Sequence, residues 1–342
     1  MCSHIFLSLP QRQGMIRIGL LGAGHLGKIH LKLLLEIPEY EVSGFYDPDD
    51  AQAKLVEDAF HVKRYASMQQ LILASDAVDI VTPTLSHYDC AKKAIKQSKH
   101  IFIEKPLANT VREAKDILNL VHEAGIKAQV GHVERFNPAF LALKNHVLSP
   151  MFIETHRLSH FNPRGTDVSV VLDLMIHDID IILHLVQSGV KKISASGVAV
   201  ISNKPDIANA RIEFSNGCVA NLTASRISMK QMRKMRLFQK DAYYSIDFGE
   251  KMTEILSFAN TDDNTDALSI EVNTGNKFEK KTIKMEIPEI KQVNSIKMEL
   301  ELFARAILDD TETAVPVSDG LNALQVAHMI LHKIEKNTSF HS

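Results

Sequence analysis

Short apolar runs alternate with amphipathic stretches through the first 130 residues of the chain. The runs have the length of buried strands, and the stretches between them carry apolar residues at helical spacing. This alternation predicts an α/β fold with a parallel, doubly wound sheet. The predicted strands are Ile16–Leu21, Val42–Tyr46, Ala77–Val81, His100–Ile103 and Lys127–Val130. The predicted helices are His25–Glu36, Asp49–Phe60, Ser86–Gln97 and Thr110–Ala124, the last with Thr110 and Glu113 spaced as a capping box.

The pattern changes after Pro138, where short β-rich runs replace the alternation. The turn signal Ser215-Asn216-Gly217 joins two of these runs and indicates an antiparallel meander. The second part is therefore predicted to be an α+β domain built on a mostly antiparallel sheet. Its predicted strands are Ile193–Val200, Asn209–Phe214, Cys218–Ala224 and Tyr243–Phe248, and its last helices are Val293–Leu308 and Gly320–Lys336.

A chain of 342 residues has room for two domains. We place a doubly wound domain at residues 15–138 and the α+β domain at residues 139–342, with its C-terminal helices free to pack back on the first domain. Residues 1–14 are interpreted as an extension that belongs to neither domain.

Composition and charge exclude several classes of function. Lys and Arg total 39 and Asp and Glu total 41, a net charge of −2, which argues against a nucleic-acid partner bound through bulk positive charge. No apolar run approaches the ~18–20 residues that span a bilayer, so no membrane partner is expected. The three cysteines form no C-x-x-C pair, which indicates a reducing, cytoplasmic setting and no thiolate metal site.

A glycine-rich turn follows the first strand and opens the first helix. Gly22-Ala-Gly24-His-Leu-Gly27 has the G-x-G-x-x-G spacing, within the strand–helix–strand unit that a dinucleotide site requires. Gly22 permits the tight turn, Gly24 lets the backbone approach a pyrophosphate, and Gly27 lets helix and sheet pack closely. Free N–H groups at the helix start favour an anion. The predicted cofactor contacts here are Gly22, Gly24, His25, Leu26 and Gly27.

Asp47 ends the second strand, twenty residues after Gly27. A carboxylate at this place can accept both ribose hydroxyls of an adenosine and would repel a 2′-phosphate. No Lys or Arg follows before Lys54. We therefore expect NAD as the cofactor rather than NADP. The alternative is a glycine turn that merely packs, with Asp47 as a helix cap.

Lys105 stands between Glu104 and Pro106 at the end of an apolar strand. In a doubly wound sheet the carboxyl ends of the strands face the ligand cleft. Lys105 is therefore a candidate group for proton transfer or hydrogen bonding to substrate. The alternative is a solvated surface lysine.

Charged residues interrupt the strongly apolar stretch Val170–Leu185. Asp173, His177, Asp180 and His184 follow each other at positions i, i+4, i+7 and i+11, which is one helical face. An acid and an imidazole one turn apart suit general base catalysis, because the acid can orient the ring. A helix-cap network is one alternative, and a metal site is disfavoured by the separation of the two histidines.

Two further polar segments are candidates for substrate contacts. His156, Arg157, His160, Asn162 and Arg164 follow the predicted first strand of the second domain, where arginines could clamp phosphate or carboxylate groups of a substrate. An ordinary polar loop is the alternative. The basic run Lys230–Lys240 is interpreted as a solvated face or an oligomer contact, with substrate phosphates as a further possibility.

From Met15 to Ile334 the chain resembles the Gfo/Idh/MocA oxidoreductases. Besides the glycine turn, the matching pieces are Thr82-Pro-Thr with His87, Glu104-Lys105-Pro106, Val130-Gly-His-Val-Glu-Arg-Phe-Asn-Pro138, Asp173-x3-His177-x2-Asp180 and Val317-Ser-Asp-Gly320. The form of the Asp173–Asp180 segment, with Lys204–Arg211 and Ala224-Ser-Arg226, is similar to a narrower group, the UDP-N-acetylglucosamine 3-dehydrogenases. Many members have Gly where this chain has Met175, a departure that reshapes the expected substrate pocket.

The resemblance implies roles for the residues that match. Lys105 would be the catalytic lysine, with Asp173 and His177 as the paired acid and base. Thr82, Pro83, His87 and Glu104 would line the cofactor cleft of a Rossmann domain. The open sheet of the second domain would mediate a homodimer or homotetramer. We assign substrate contacts to His160, Asn162, Arg164 and Asp180, and no residue to a metal.

The expected function is NAD-dependent oxidation of a secondary hydroxyl of a sugar, with UDP-N-acetylglucosamine oxidised at C3 as the specific expectation. Either Lys105 or His177 would take the hydroxyl proton. Two alternatives stay open: a glycoside hydrolase that uses NAD transiently, and a non-catalytic NAD-binding regulator.

Overall fold

In the computed structural model, which describes residues 14–162, 168–260, 268–273 and 278–338, the first sheet has five parallel strands. Their order is β2-β1-β3-β4-β5. After β2 the chain crosses to the other side of β1, so the strand order reverses between β1 and β3. All five predicted strands are present and the doubly wound sheet is confirmed. The strands are β1 (Ile16–Leu21), β2 (Tyr40–Tyr46), β3 (Ala77–Ile80), β4 (His100–Glu104) and β5 (Ala128–Gly131).

Five helices accompany this sheet. They are α1 (His25–Glu36), α2 (Asp50–Phe60), α3 (Met68–Ala74), α4 (Thr84–Ile95) and α5 (Val111–Ala124). Four were predicted, and the predicted capping box of Thr110 and Glu113 starts α5. Helix α3 was missed because seven residues are too short to show a helical period. A 3-10 turn (Val133–Phe136) and the short helix α6 (Pro138–Leu141) follow β5.

The second sheet has nine strands in the described residues, in the order β13-β14-β12-β11-β10-β6-β9-β8-β7. Neighbouring strands are antiparallel except β6 and β9. The mostly antiparallel sheet is thus confirmed. Its strands are β6 (Phe152–Leu158), β7 (Val190–Val198), β8 (Ile207–Phe214), β9 (Val219–Ser225), β10 (Met232–Gln239), β11 (Ala242–Asp247), β12 (Met252–Asn260), β13 (Leu268–Asn273) and β14 (Phe278–Glu286).

A helical segment packs on one face of the second sheet between β6 and β7. It begins as a π-helical turn (Val171–Met175) and continues as α7 (Ile176–Val186). Its apolar side chains join the sheet's inner face in one core, with Ile176 and Ile179 fully buried. This burial fixes which face of the segment is left for the first sheet.

The last two helices, α8 (Ser295–Leu308) and α9 (Val317–Thr338), return to the first sheet. Leu300 and Phe303 of α8 share a core with Ile18 of β1, and α9 contributes to the cores of both sheets. The C-terminal helices therefore tie the two halves together. No helix in the described part of the chain is long and apolar enough to cross a membrane.

Candidate active site

A cleft of about 710 Å³ opens at the carboxyl ends of β1–β4. Its opposite wall comes from the second half of the chain, through Val168, Leu172 and Asp173. Gly27, one of the eleven residues predicted to hold the cofactor, does not line the cleft; it lies beneath it, between α1 and the first sheet. Ten of the eleven residues predicted to hold the cofactor line the cleft: Gly22, Gly24, His25, Leu26, Asp47, Thr82, Pro83, His87, Glu104 and Lys105.

Each glycine of the turn has the environment that its predicted role demands. Gly22 has a φ of +92°, a conformation that L side chains rarely adopt. A Cβ on Gly27 would lie 2.0 Å from the carbonyl oxygen of Gly22, so only glycine permits this packing. A Cβ on Gly24 would meet nothing within 4 Å, because it would project into the cleft. Gly24 also precedes α1 without a side-chain cap, which leaves the N–H groups of the helix start free for a pyrophosphate.

Asp47 lines the cleft at the carboxyl end of β2. Its carboxylate accepts hydrogen bonds from the backbone N–H groups of Ala23 (2.7 Å) and Asp49 (2.9 Å), which fix it against the glycine turn. The nearby Arg64 guanidinium donates to the Asp47 carbonyl and to the Asp50 carboxylate, at 3.0 and 2.5 Å. The position of Asp47 fits a ribose diol, and the acid disfavours a 2′-phosphate.

His87 joins the loops that follow β3 and β4. Its buried ring contacts the carbonyl oxygens of Thr82 (2.8 Å) and Pro106 (2.9 Å) through its two nitrogens. Burial lowers the pKa of His87 even though both carbonyls favour the protonated ring. His87 thus holds the loop after β3 to the loop after β4, where the Lys105–Pro106 peptide is cis.

Lys105 reaches from the end of β4 to the π-helical turn of the second half. Its Nζ donates to the backbone carbonyl of Asp173 at 2.7 Å and lies 3.4 Å from the Asp173 carboxylate. The lysine side chain is 19% exposed and the aspartate side chain 42%. The two groups are 68 residues apart in sequence, so the site exists only where the two halves meet.

His177 follows Asp173 by four residues but does not pair with it. Its Nδ1 is buried and has no hydrogen-bond partner among the described residues. The expectation that Asp173 orients His177 is therefore corrected: Asp173 contacts Lys105 instead, because the π-helical turn adds residues per turn and rotates Asp173 away from the α7 face. Burial and the charges of Lys105 and Arg157 hold the pKa of His177 well below its usual value, so the ring is neutral at pH 7.

Asp180, predicted to contact substrate, lies in a buried ion pair. Its carboxylate accepts two hydrogen bonds from Arg135, at 2.6 and 2.7 Å, and it is 1% exposed. Arg135 also reaches Asp319 at the start of α9 and His184 on α7. We withdraw Asp180 as a substrate contact, because a bidentate arginine occupies its carboxylate.

The polar residues in and after β6 include both buried and exposed side chains. Arg157 is buried and satisfied by Asp178 and Glu134, so it is not the substrate clamp considered from the sequence. His160 and Asn162 are exposed in the segment after β6. Arg164 lies outside the described residues.

A buried polar cluster under the cleft was missed from the sequence. His30 of α1 contacts Asp79 of β3 (2.9 Å) and Glu104 (3.3 Å) through its two ring nitrogens. Burial alone lowers the pKa of His30, but the two carboxylates raise it well above its usual value. Glu299 of α8 is fully buried nearby, and burial together with the Glu104 charge raises its pKa. A charged residue inside an apolar strand, such as Asp79, was the available signal.

His132 is a further buried polar residue that was not predicted as part of the site. It directly follows β5, is 1% exposed and lies 4.0 Å from the Asp180 carboxylate. Neither ring nitrogen has a hydrogen-bond partner among the described residues, and burial lowers its pKa. His132 therefore adds a neutral imidazole between the Lys105 end of the cleft and the Arg135 ion pair.

Two family models match the chain. The model described as oxidoreductase family, NAD-binding Rossmann fold, matches residues 16–132, and the Gfo/Idh/MocA C-terminal domain matches residues 144–243. Within the described residues, no three His, Cys, Asp or Glu side chains are grouped so that they could hold a metal ion.

Curated relatives and solved structures agree with these models. The UDP-N-acetylglucosamine 3-dehydrogenase of Acidithiobacillus ferrooxidans is 36% identical over 234 residues, 68% of this chain and 74% of the relative. Its solved structure superposes with a TM-score of 0.83 and 29% identity, covering 94% of this chain and 99% of that one. The NAD-dependent scyllo-inositol 2-dehydrogenase of Bacillus subtilis is 31% identical over 234 residues, 62% of this chain and 68% of the relative.

The fold and the glycine turn define an oxidoreductase with an NAD-binding Rossmann domain. The chain belongs to the Gfo/Idh/MocA family, as both domain matches and the 36% identical relative show.

Proposed function

We propose that the protein is an NAD-dependent dehydrogenase that oxidises a secondary hydroxyl of a sugar, specifically C3 of a nucleotide sugar such as UDP-N-acetylglucosamine. The observation that carries this proposal is the contact between Lys105 and Asp173 at the nicotinamide end of the cleft, one helical turn before the neutral His177. The names of two relatives, a UDP-N-acetylglucosamine 3-dehydrogenase and a scyllo-inositol 2-dehydrogenase, support a secondary hydroxyl of a sugar or similar polyol as the substrate class.

The residues of the cleft fit NAD. The free N–H groups after Gly24 would hold the pyrophosphate and the Asp47 carboxylate the adenosine ribose. The nicotinamide would then lie near Glu104 and Lys105, at the end of β4. When bound, NAD supplies the acceptor for the hydride.

Lys105 and His177 divide the work on the substrate hydroxyl. Lys105 is fixed by Asp173 and still has an N–H to donate to the hydroxyl oxygen, which it would orient and polarise. His177 is neutral and would accept the hydroxyl proton as the carbon-bound hydrogen leaves as hydride, so that the products are a ketone and an imidazolium. The charge on Lys105 stabilises the oxygen while its negative charge develops.

The domain limits and the assembly are also part of the proposal. We place the boundary at residues 138/139, between the end of β5 and the start of β6, and the protein in the cytoplasm. We propose a homodimer or homotetramer formed through the second sheet's open face. An aromatic group of Phe152, Phe238 and Tyr243 supports this face as the contact. The Phe152 and Phe238 rings meet edge to face at 5.8 Å, the Phe238 and Tyr243 rings are tilted at 5.0 Å, and Phe238 is 39% exposed.

The test is a panel of nucleotide sugars, sugar phosphates and free sugars incubated with NAD⁺ while NADH absorbance is followed. We expect NADH in a one-to-one ratio with a keto sugar, with UDP-N-acetylglucosamine as the best substrate. Cleavage of the sugar without net NADH would identify the hydrolase alternative. Tight NAD binding with no turnover of any sugar would identify the regulator.

A further inference from the structure

Two arginines occupy neighbouring positions on β6 and β10 of the second sheet. Arg233 of β10 is directly opposite Arg157 of β6 in the antiparallel register, and side chains of such a pair leave the sheet on the same face. Arg157 contacts Asp178 on α7, so this face is the one that carries the helices. Arg233 therefore projects toward the helical segment that contains His177.

The two arginines differ in what satisfies them. Arg157 is buried and donates four hydrogen bonds to Asp178 and Glu134, at 2.7–3.1 Å. Arg233 is 53% exposed, and its contact in the described residues is an ion pair with Glu134 at 4.0 Å, without a hydrogen bond. Glu134 is already occupied, because it accepts from Arg157 (2.7 Å) and from the Asn137 amide (2.9 Å). The N–H donors of Arg233 are thus available to a ligand.

Arg233 is also close to the proposed base. Asp178, which binds Arg157, directly follows His177 in α7. The positive charge of Arg233 contributes to the low pKa of His177 and acts on the carboxyl group of Asp178 as well. Contacts from Arg233 to Glu134, from Glu134 to Arg157 and from Arg157 to Asp178 also connect it to the residue after His177, so a ligand bound by Arg233 would lie on the His177 side of the sheet.

We propose that Arg233 binds a phosphate group of the substrate, so that the enzyme selects phosphate-bearing sugars over free sugars. This inference rests on the proposed function and names the group that distinguishes its substrates. The planar guanidinium offers two parallel N–H donors to phosphate oxygens, a fit that lysine cannot reproduce. The phosphate could belong to a nucleoside diphosphate sugar or to a sugar monophosphate, and we expect the diphosphate.

The same strand supplies a matched control. Arg236 is 46% exposed and lies three residues after Arg233, so it projects from the opposite face of the sheet. There it forms an ion pair with Glu154 at 3.0 Å. Replacing either arginine by glutamine removes one half-exposed positive charge from β10, but only Arg233→Gln removes it from the side of His177.

The experiment measures dissociation constants by calorimetry for the full chain saturated with NADH. The ligands are UDP, UDP-N-acetylglucosamine, glucose 6-phosphate and inorganic phosphate. We expect UDP and UDP-N-acetylglucosamine to bind Arg233→Gln about 10- to 100-fold more weakly than wild type, the range for charged hydrogen bonds, with Arg233→Lys between them. Arg236→Gln should bind like wild type, and NADH affinity should be equal in all four proteins.

Each outcome separates the inference from the function on which it rests. Equal affinity of wild type and Arg233→Gln for UDP overturns the role of Arg233 and leaves the dehydrogenase proposal intact. An Arg233-dependent affinity for glucose 6-phosphate alone supports the phosphate role and replaces the nucleotide sugar by a sugar monophosphate. If wild type binds none of the phosphate ligands, the inference fails, and turnover of a free sugar would then show that the dehydrogenase proposal survives. Thermal unfolding of each variant checks that the fold is retained.

Discussion

The two ends of the cleft are built in different ways. At the cofactor end, the recognising groups are backbone N–H groups and a carboxylate that the backbone itself fixes, all within the 26 residues from Gly22 to Asp47. At the substrate end, Lys105 is 68 residues away in sequence from Asp173 and still further from His177, and long-range ion pairs surround the three residues. Backbone recognition depends on a local turn, whereas side-chain recognition depends on the correct docking of the two halves.

The largest effect should come from the residue that joins the two halves. We expect Lys105→Ala to lower kcat by about 10²- to 10⁴-fold, the range for loss of a proton-transfer or orienting group, while the Kd for NAD stays within a few fold of wild type. Lys96→Ala, at an exposed lysine after α4, is the control and should keep wild-type kcat. A large loss of NAD affinity in Lys105→Ala would show that the two ends are not separate.

The pH dependence of kcat tests the role of His177 at the substrate end. The pKa of its imidazole is held below 6.5, so activity should fall as pH drops through that low pKa and the base becomes protonated. We expect His177→Gln to lose about 10²-fold or more in kcat and to lack this acidic limb. A pH–kcat profile of His177→Gln with an unchanged acidic limb would assign the proton to another group.

Two substitutions in the glycine turn test NAD binding and folding separately. Gly24→Ala places a methyl group in open cleft space, so the protein should fold normally and bind NAD at least about 10-fold more weakly, because the methyl group keeps the pyrophosphate from the backbone. Gly27→Ala forces a clash at 2.0 Å and should cost about 1–3 kcal/mol of unfolding free energy. Urea unfolding and calorimetry measure the two quantities, and wild-type NAD affinity in Gly24→Ala would contradict the assignment.

The smallest effect concerns the buried cluster beneath both ends. Burial raises the pKa of Glu299 above its ordinary value of 4.5, so folding favours its protonated form. The stability from this preference is fully present below about pH 4.5 and is lost as pH rises through the raised pKa of the folded state. Glu299→Gln cannot ionise, so its unfolding free energy should fall less than that of wild type between pH 5 and 8. Parallel stability curves would refute a protonated Glu299.

Much of the first domain could be predicted because its signals are local. The strands of the first sheet are buried on both faces, so they are visible in the sequence as short apolar runs. The capping box at the start of α5 depends only on the four residues from Thr110 to Glu113. In the second sheet, β10 was interpreted only as a basic run, and His156 and Arg157 were placed after the first strand although they lie within β6. Their charged residues alternate with buried ones, as in Arg236 beside Leu237, and the basic run therefore hid a strand.

The candidate site shows the same difference between residues with local signals and residues that depend on long-range packing. The sequence by itself determined the glycine turn, Asp47 and the residues at the strand ends, because a parallel sheet sends all its carboxyl ends to one edge. Only the tertiary structure decided that Asp180 belongs to Arg135, that Arg157 is satisfied while Arg233 is not, and that Asp173 meets Lys105 instead of His177. A titratable side chain in a sequence has a charge but no partner. Its role follows from which opposite charge the packing of two distant segments brings within hydrogen-bond distance.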